Sequence, residues 1–194
     1  MSFSAKKEAL FSGCDLSRKG YIDAKAEGIV HTLNGCPFYC TTSSCSGRIV
    51  VFEWREGEMQ ERHSCNWLLV SHDPINMEEL KIALSSSTGN ASLRFEPFIL
   101  HVSCETMKWA KPLHTAALES GFKNSGLTIS KRGGITLAMR NTLFLEIPLT
   151  AKGKVLVSDE YLAHLVNVVN EKFAANEKCI EKLSNKINMV VASL

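Results

Sequence analysis

Thr41-Thr42-Ser43-Ser44-Cys45-Ser46-Gly47-Arg48 is the stretch around which the rest of the chain is arranged. Its first six residues each carry a hydroxyl or a thiol, and a glycine and an arginine follow. The run stands between Phe38-Tyr39-Cys40 and the strand-like Ile49-Val50-Val51-Phe52. That placement predicts a polar loop at the mouth of a sheet. Small side chains let a ligand approach the backbone, and hydroxyls and N–H groups can then turn toward it. Arg48 adds a planar fork of donors suited to a carboxylate or a phosphate. A binding loop for an anionic or polar ligand fits these residues. A Ser/Thr-rich surface connection has the same composition, and composition alone does not separate the two.

Upstream, residues 3–14 have helix-forming composition with Phe3, Leu10, Phe11 and Cys14 as a loose apolar face, and Lys19-Gly20 reads as a turn. Asp23 is placed to cap a helix over 24–34, with Ala26, Ile29, Val30 and Leu33 at helical spacing and Gly35 at its C-terminal stop. Pro37 sets an extended start for a strand over 38–42. Downstream, 49–54 and 64–71 read as strands joined by a charged hairpin through Glu56-Gly57-Glu58. The second is expected to be buried on both faces, with His72 at its polar end. Asn76 and Glu79 have capping-box spacing for a helix over 77–86.

Residues 92–103 predict a long strand in which Pro97 marks an edge, a bulge or a bend. A helix over 105–120 is closed by Gly121; Pro112 inside it predicts either a kink or a start only near Lys111. Strands follow at 127–130, 135–140, 143–149 and 155–157. Ser158 caps a final helix with the stripe Leu162, Leu165, Val166, Val169 and Phe173, continued more thinly by Ile180, Leu183 and Ile187. Hairpins mixed with helices, without regular strand–helix alternation, predict an α+β fold with a largely antiparallel sheet, flanking helices and a long C-terminal helix. The expected organisation is one catalytic domain over 1–194, with 175–194 as a projecting helical tail.

The 194 residues, 45% hydrophobic and 22% charged, suit a folded domain with a sizeable core. No run of 18 apolar residues suggests a membrane span, and Met1 to Glu8 lacks the apolar block of a signal peptide. Seven cysteines in such a chain point to reduced thiols and a cytoplasmic location. Glu53 to Glu79 carries seven acidic and two basic residues; Gly121 to Lys154 carries six basic residues and one acidic. The basic segment suits a nucleic-acid face, or solvated charges on strand edges.

The chain lacks the dinucleotide glycine fingerprint and the phosphate-loop motif. Cys36, Cys40 and Cys45 invite a zinc reading, but no second ligand pair accompanies them and no metal is expected. Cys45 stands three residues before Arg48, not the six of a phosphatase loop. A cysteine nucleophile with His72 or His101 as base is conceivable, yet free cysteines are mostly small packed residues. Asp15, Asp23, His72, Glu96, His101 and Arg140 lie beside apolar runs. Glu96, next to Pro97, needs a partner if buried, and Arg48, Arg94 or Arg140 could supply it.

Several segments resemble one family in order. They are Asp15-Leu-Ser-Arg-Lys-Gly20 with Asp23, the run 41–48, Trp67-Leu-Leu-Val-Ser-His72, Arg94-Phe-Glu-Pro-Phe-Ile-Leu-His101, Gly121-Phe-Lys-Asn-Ser-Gly126, Glu146-Ile-Pro-Leu149 and Glu160-Tyr-Leu162. Together, from about residue 10 to about residue 182, they resemble the wybutosine-synthesising methyltransferase family, the third enzyme of that tRNA-modification pathway. Pro112 and Gly134 depart from the family pattern.

The resemblance implies an α+β fold without the Rossmann sheet usual among methyltransferases. It implies methyl transfer from S-adenosyl-L-methionine to a ring nitrogen (N4) of the tricyclic base beside the anticodon of phenylalanine tRNA. By the same resemblance, Ser43, Ser44, Cys45, Gly47 and Arg48 would bind cofactor or substrate, with Glu96 and His101 lining the same pocket. His72 would line that pocket too, with Asp23 near it, and Asp23 or His72 would take the acceptor proton. Lys123, Asn124, Lys131, Arg132 and Arg140 would meet tRNA. The alternatives are a tRNA-binding accessory of the same pathway without catalysis, and a Cys45-dependent hydrolase.

Overall fold

The computed structural model describes residues 2–12, 21–54 and 65–194. The Asp15–Gly20 motif with its turn, Cys14, and the Glu56–Glu58 hairpin lie outside the described residues. In chain order the elements are α1 (Phe3–Phe11), α2 (Ala24–Gly35), β1 (Tyr39–Trp54), β2 (Cys65–Ser71), α3 (Met77–Ser85), β3 (Asn90–Cys104) and α4 (Met107–Glu119). Then come β4 (Gly126–Ile129), β5 (Ile135–Arg140), β6 (Leu145–Pro148), β7 (Thr150–Ala151), β8 (Lys154–Val155) and α5 (Asp159–Ala192). The hydrogen-bonded strand order is β2-β1-β3-β5-β4, with β6 also on β3 and β7-β8 as a separate ribbon. The strand pairs β1–β2, β3–β5, β3–β6, β4–β5 and β7–β8 are all antiparallel. This is the α+β architecture expected, with its long C-terminal helix and no doubly wound sheet.

The chain divides into two compact units, and β1, β3 and α5 each run from one into the other. The first unit holds residues 1–46, 98–142 and 177–194. Its core joins Ala26, Ile29, Val30 and Leu33 of α2 to alternate residues of β3 and β5 and to Leu113 and Ala117 of α4. Period-two burial on the strands meets a 3.6-residue stripe on each helix, so each element puts one face inward. Ile180, Leu183 and Ile187 of α5 belong to this core, with Leu183 and Ile187 fully buried. The thin stripe that suggested a projecting end is thus packed against its own chain. The second unit, residues 47–97 and 143–176, has its own core around Leu80, Leu93, Phe95, Leu149, Val169 and Phe173.

Several local expectations are met. Asn76 and Glu79 form both bonds of the capping box. After α4, Phe122 N–H bonds to the Ala117 carbonyl at 3.0 Å and Gly121 N–H to Leu118 at 3.3 Å, with Gly121 at φ +100°. These two bonds and the left-handed glycine make a Schellman stop. The Ser158 hydroxyl accepts from Tyr161 N–H at 3.3 Å at the start of α5. Pro97 falls between Phe95, where pairing with β6 ends, and Ile99, where pairing with β5 begins. A residue without an N–H is tolerated where that edge of the strand has no partner.

Other expectations are corrected. Residues 41–48 are not a loop: they are the middle of the continuous strand β1. Hydroxyl residues satisfy a strand's backbone through its neighbours as well as apolar ones do, and threonine favours the extended form. Within it Gly47 takes a φ of +105°, which suits a residue without Cβ. β2 is half-buried rather than covered on both faces, and Val70 is exposed. Gly35 ends α2 in helical conformation, and the extended cap is Cys36. α4 begins at Met107, not near Lys111, and carries the exposed Pro112 inside it. No residue of α1 is buried, so its apolar face does not join the core.

Candidate functional site

In the first unit, β3 and β5 pair so that Ile99 faces Arg140 and His101 faces Ala138. Arg140 is then the diagonal neighbour of His101 on the same face, within reach of a long side chain. Its Nη2 lies 3.1 Å from His101 Nε2, and Ser43 Oγ of β1 lies 2.7 Å from His101 Nδ1. The Thr42 hydroxyl donates to the His101 carbonyl at 3.3 Å, tying β1 to the same point of β3. Burial, with the Arg140 guanidinium beside it, pushes the His101 imidazole below its ordinary pKa. Both causes disfavour the charged ring, so His101 is neutral at pH 7.

Asp23 occupies the cap position of α2 but makes no side-chain capping bond. Its Oδ2 instead accepts from Ser46 N–H at 2.8 Å and from the Ser46 hydroxyl at 3.1 Å. The carboxylate still gains from the positive end of the helix while it anchors β1. Ser44 and Cys45, next along β1, are half-buried.

The residues expected to meet tRNA all lie in this unit and are exposed. Lys123 and Asn124 follow α4, and Asn124 N–H donates to the Arg140 carbonyl at 3.0 Å. Lys131 and Arg132 sit in the β4–β5 turn, at the other end of that hairpin. At ~3.4 Å per residue, the five steps of β5 from Ile135 to Arg140 put roughly 17 Å between Arg140 and the turn. The structure therefore joins Arg140 to Asn124 and separates both from the Lys131–Arg132 pair. A groove of about 320 Å³ lies along α2 and α5, lined by Lys25, Glu177, Ile180, Glu181, Ser184 and Asn185, and contains none of the expected site residues.

In the second unit, Arg48 Nε donates to Glu96 Oε2 at 2.6 Å. Arg94 Nη1 lies 3.3 Å from the other Glu96 oxygen, and Arg94 Nε donates to Glu146 at 3.0 Å. The surprising carboxylate beside Pro97 is thus paired with Arg48 and Arg94, and Arg140 is held by His101. Arg94 stacks over Phe52 at 4.1 Å and Arg48 over Trp67 at 5.0 Å. Aromatic faces attract the guanidinium planes and hold them flat. Trp67 and Arg94 were not among the expected site residues. Their signal was positional: Arg94 and Glu96 share one face of β3, and Trp67 sits beside the strand that carries Arg48. His72 follows the end of β2 and is half-buried. Among the described residues the cysteines are free thiols, and no helix is long and apolar enough to cross a membrane.

An antiparallel α+β fold with a hydroxyl-bearing inner strand beside a His–Arg pair lies outside the doubly wound class of nucleotide-binding enzymes. The family model described as Methyltransferase TYW3 matches residues 4–189, and the chain belongs to that methyltransferase family. It is 44% identical over 184 residues to a mouse tRNA wybutosine-synthesizing protein 3 homolog, covering 94% of this chain and 72% of that one. A relative from Pyrococcus abyssi, named tRNA(Phe) 7-((3-amino-3-carboxypropyl)-4-demethylwyosine(37)-N(4))-methyltransferase 2, is 36% identical, covering 92% of this chain and 86% of its own. The solved structure of the PH1069 protein from Pyrococcus horikoshii matches with a TM-score of 0.86 at 27% identity, covering 96% of each chain.

Proposed function

We propose that this chain is an S-adenosyl-L-methionine-dependent tRNA methyltransferase that acts on N4 of the tricyclic wybutosine precursor beside the anticodon of phenylalanine tRNA. The observation that carries this reading is the family match over residues 4–189, together with the activity in the name of the Pyrococcus abyssi relative. The expected compartment is the cytoplasm.

The residues fit the anionic end of such a cofactor. A neutral His101 holds an exposed serine hydroxyl, a hydrogen-bond donor matched to a carboxylate. When bound, S-adenosyl-L-methionine supplies an electrophilic methyl group on a sulfonium. The protein's task is to bind, align and exclude water. Ser43, Ser44, Cys45 and His101, all of the first unit, are assigned to holding the ligand. The Asp23 carboxylate or the His72 imidazole is assigned to the proton on the acceptor nitrogen. Lys123, Asn124, Lys131, Arg132 and Arg140 are assigned to the RNA, which must present its base outside the stack.

The test is methyl transfer from labelled cofactor to phenylalanine tRNA carrying the tricyclic precursor. Incorporation is expected, and Asp23→Asn and His72→Ala are each expected to abolish it without loss of circular-dichroism signal. Full activity in both variants would remove their acid–base role. No rise in melting temperature with millimolar S-adenosyl-L-methionine, and no transfer, would leave a tRNA-binding accessory.

A further inference from the structure

The chain Ser43–His101–Arg140 lies within the first unit, and chemistry fixes its direction. A guanidinium has five N–H donors, no acceptor, and stays charged. Arg140 Nη2, 3.1 Å from His101 Nε2, must therefore donate, and Nε2 must hold a lone pair. The single proton of the neutral ring then sits on Nδ1. Nδ1–H faces Ser43 Oγ at 2.7 Å, so the serine oxygen accepts. Its own hydrogen is left to point away from the ring. Among the described residues Ser43 Oγ has no other hydrogen-bond partner. An ordinary serine donates or accepts as its surroundings require, and this one is turned into a donor.

We infer that His101 and Arg140 are positioning residues that hold the Ser43 hydroxyl as a committed donor to an anionic oxygen of the ligand, a carboxylate or a phosphate. The ligand half of this inference rests on the proposed function; the ring state does not. It also moves the side chain of Arg140 from the RNA phosphates to the hydroxyl it sets in place.

The free protein, labelled with ¹⁵N on histidine, tests the ring by long-range ¹H–¹⁵N NMR at pH 8. The expected result is His101 with its proton on Nδ1. Arg140→Ala should shift the ring to a mixture in which the proton on Nε2 dominates. A wild-type ring protonated on Nε2 would overturn the inference. Binding of S-adenosyl-L-methionine and of phenylalanine tRNA is then measured by calorimetry, without turnover. Ser43→Ala should weaken one of them roughly tenfold, as expected for a lost hydrogen bond to a charged group. Loss toward the cofactor identifies a carboxylate, and loss toward tRNA a phosphate. Arg140→Ala should weaken the same ligand several-fold. His101→Asn, whose amide N–H reaches the place of Nδ1, should keep most of the affinity that His101→Gln loses. Unchanged affinity for both ligands in Ser43→Ala refutes the donor role. Absence of methyl transfer with the ring state and binding results intact would count against the proposed function alone.

Discussion

Glu53 gives the sharpest test of how the second unit is held together. It is 7% exposed, on the end of β1. Its Oε2 accepts from the Ser87 hydroxyl at 2.9 Å, Gly89 N–H at 3.0 Å and Thr88 N–H at 3.1 Å, and Oε1 from Asn66 at 3.3 Å. Burial alone would raise its pKa, but these donors together outweigh it and hold the carboxyl below its usual range. Glu53→Gln keeps the shape and an acceptor oxygen but removes the charge. Charge-assisted bonds are roughly twice as strong as neutral ones, so the loss is about 2 kcal/mol at pH 7. At about 2–4 °C per kcal/mol for a chain of this size, the melting temperature falls by roughly 4–8 °C. A depressed folded pKa stabilises above the unfolded value of about 4.3 and stops doing so as pH falls through the folded value. The gap between wild type and variant should therefore be full at pH 7 and close in acid. Trp54 beside Glu53, and Trp67, which faces Phe52 across the strand pair, report on this unit by fluorescence. A variant within about 0.5 kcal/mol of wild type at pH 7 would refute the reasoning, as would a gap that widens in acid.

Gly121→Ala must strain a left-handed position and bring a Cβ to 3.0 Å from Cys179 Sγ. A loss of about 1–2 kcal/mol by urea midpoint is expected, and a neutral result would contradict the Schellman geometry. Leu183→Ala empties a fully buried position on α5 and should lose about 3 kcal/mol in the same assay, whereas a projecting helix end would lose almost nothing. For Arg48 and Glu96, both about a third exposed and 2.6 Å apart, a double-alanine cycle should give a coupling of about 1 kcal/mol that shrinks in high salt. Zero coupling in low salt would mean the pair does not hold Arg48 in place.

Much of the fold was legible because its signals are local. Asn76 with Glu79, Ser158 before an amphipathic run, and Gly121 after Leu118 each state a backbone bond in the residues that make it. The α+β class followed from hairpins without strand–helix alternation. What was misread depended on distant neighbours. Nothing in Thr41 to Ser46 reveals that its backbone groups are paired in a sheet, so a run of hydroxyls looked like a loop. Asp23 carried a correct cap pattern, yet Ser46 took its carboxylate. Only the register of β3 on β5 shows that Arg140 meets His101 and leaves Glu96 to Arg48 and Arg94. Motifs named candidate residues, but the partners of those residues belong to the tertiary structure.

A hydroxyl run carried on a strand rather than a loop limits how the chain can change. In a loop, an added residue shifts a hydroxyl by a few ångströms and the flanking elements absorb it. On β1, side chains alternate faces, so an insertion between Tyr39 and Ser43 inverts everything on one side of it. Either Ser43 turns away from His101, or Tyr39 leaves the first core for the opposite face. The length of this segment is therefore held by the hydrophobic interior. Variation can enter here by exchange of side chains and hardly at all by change of length.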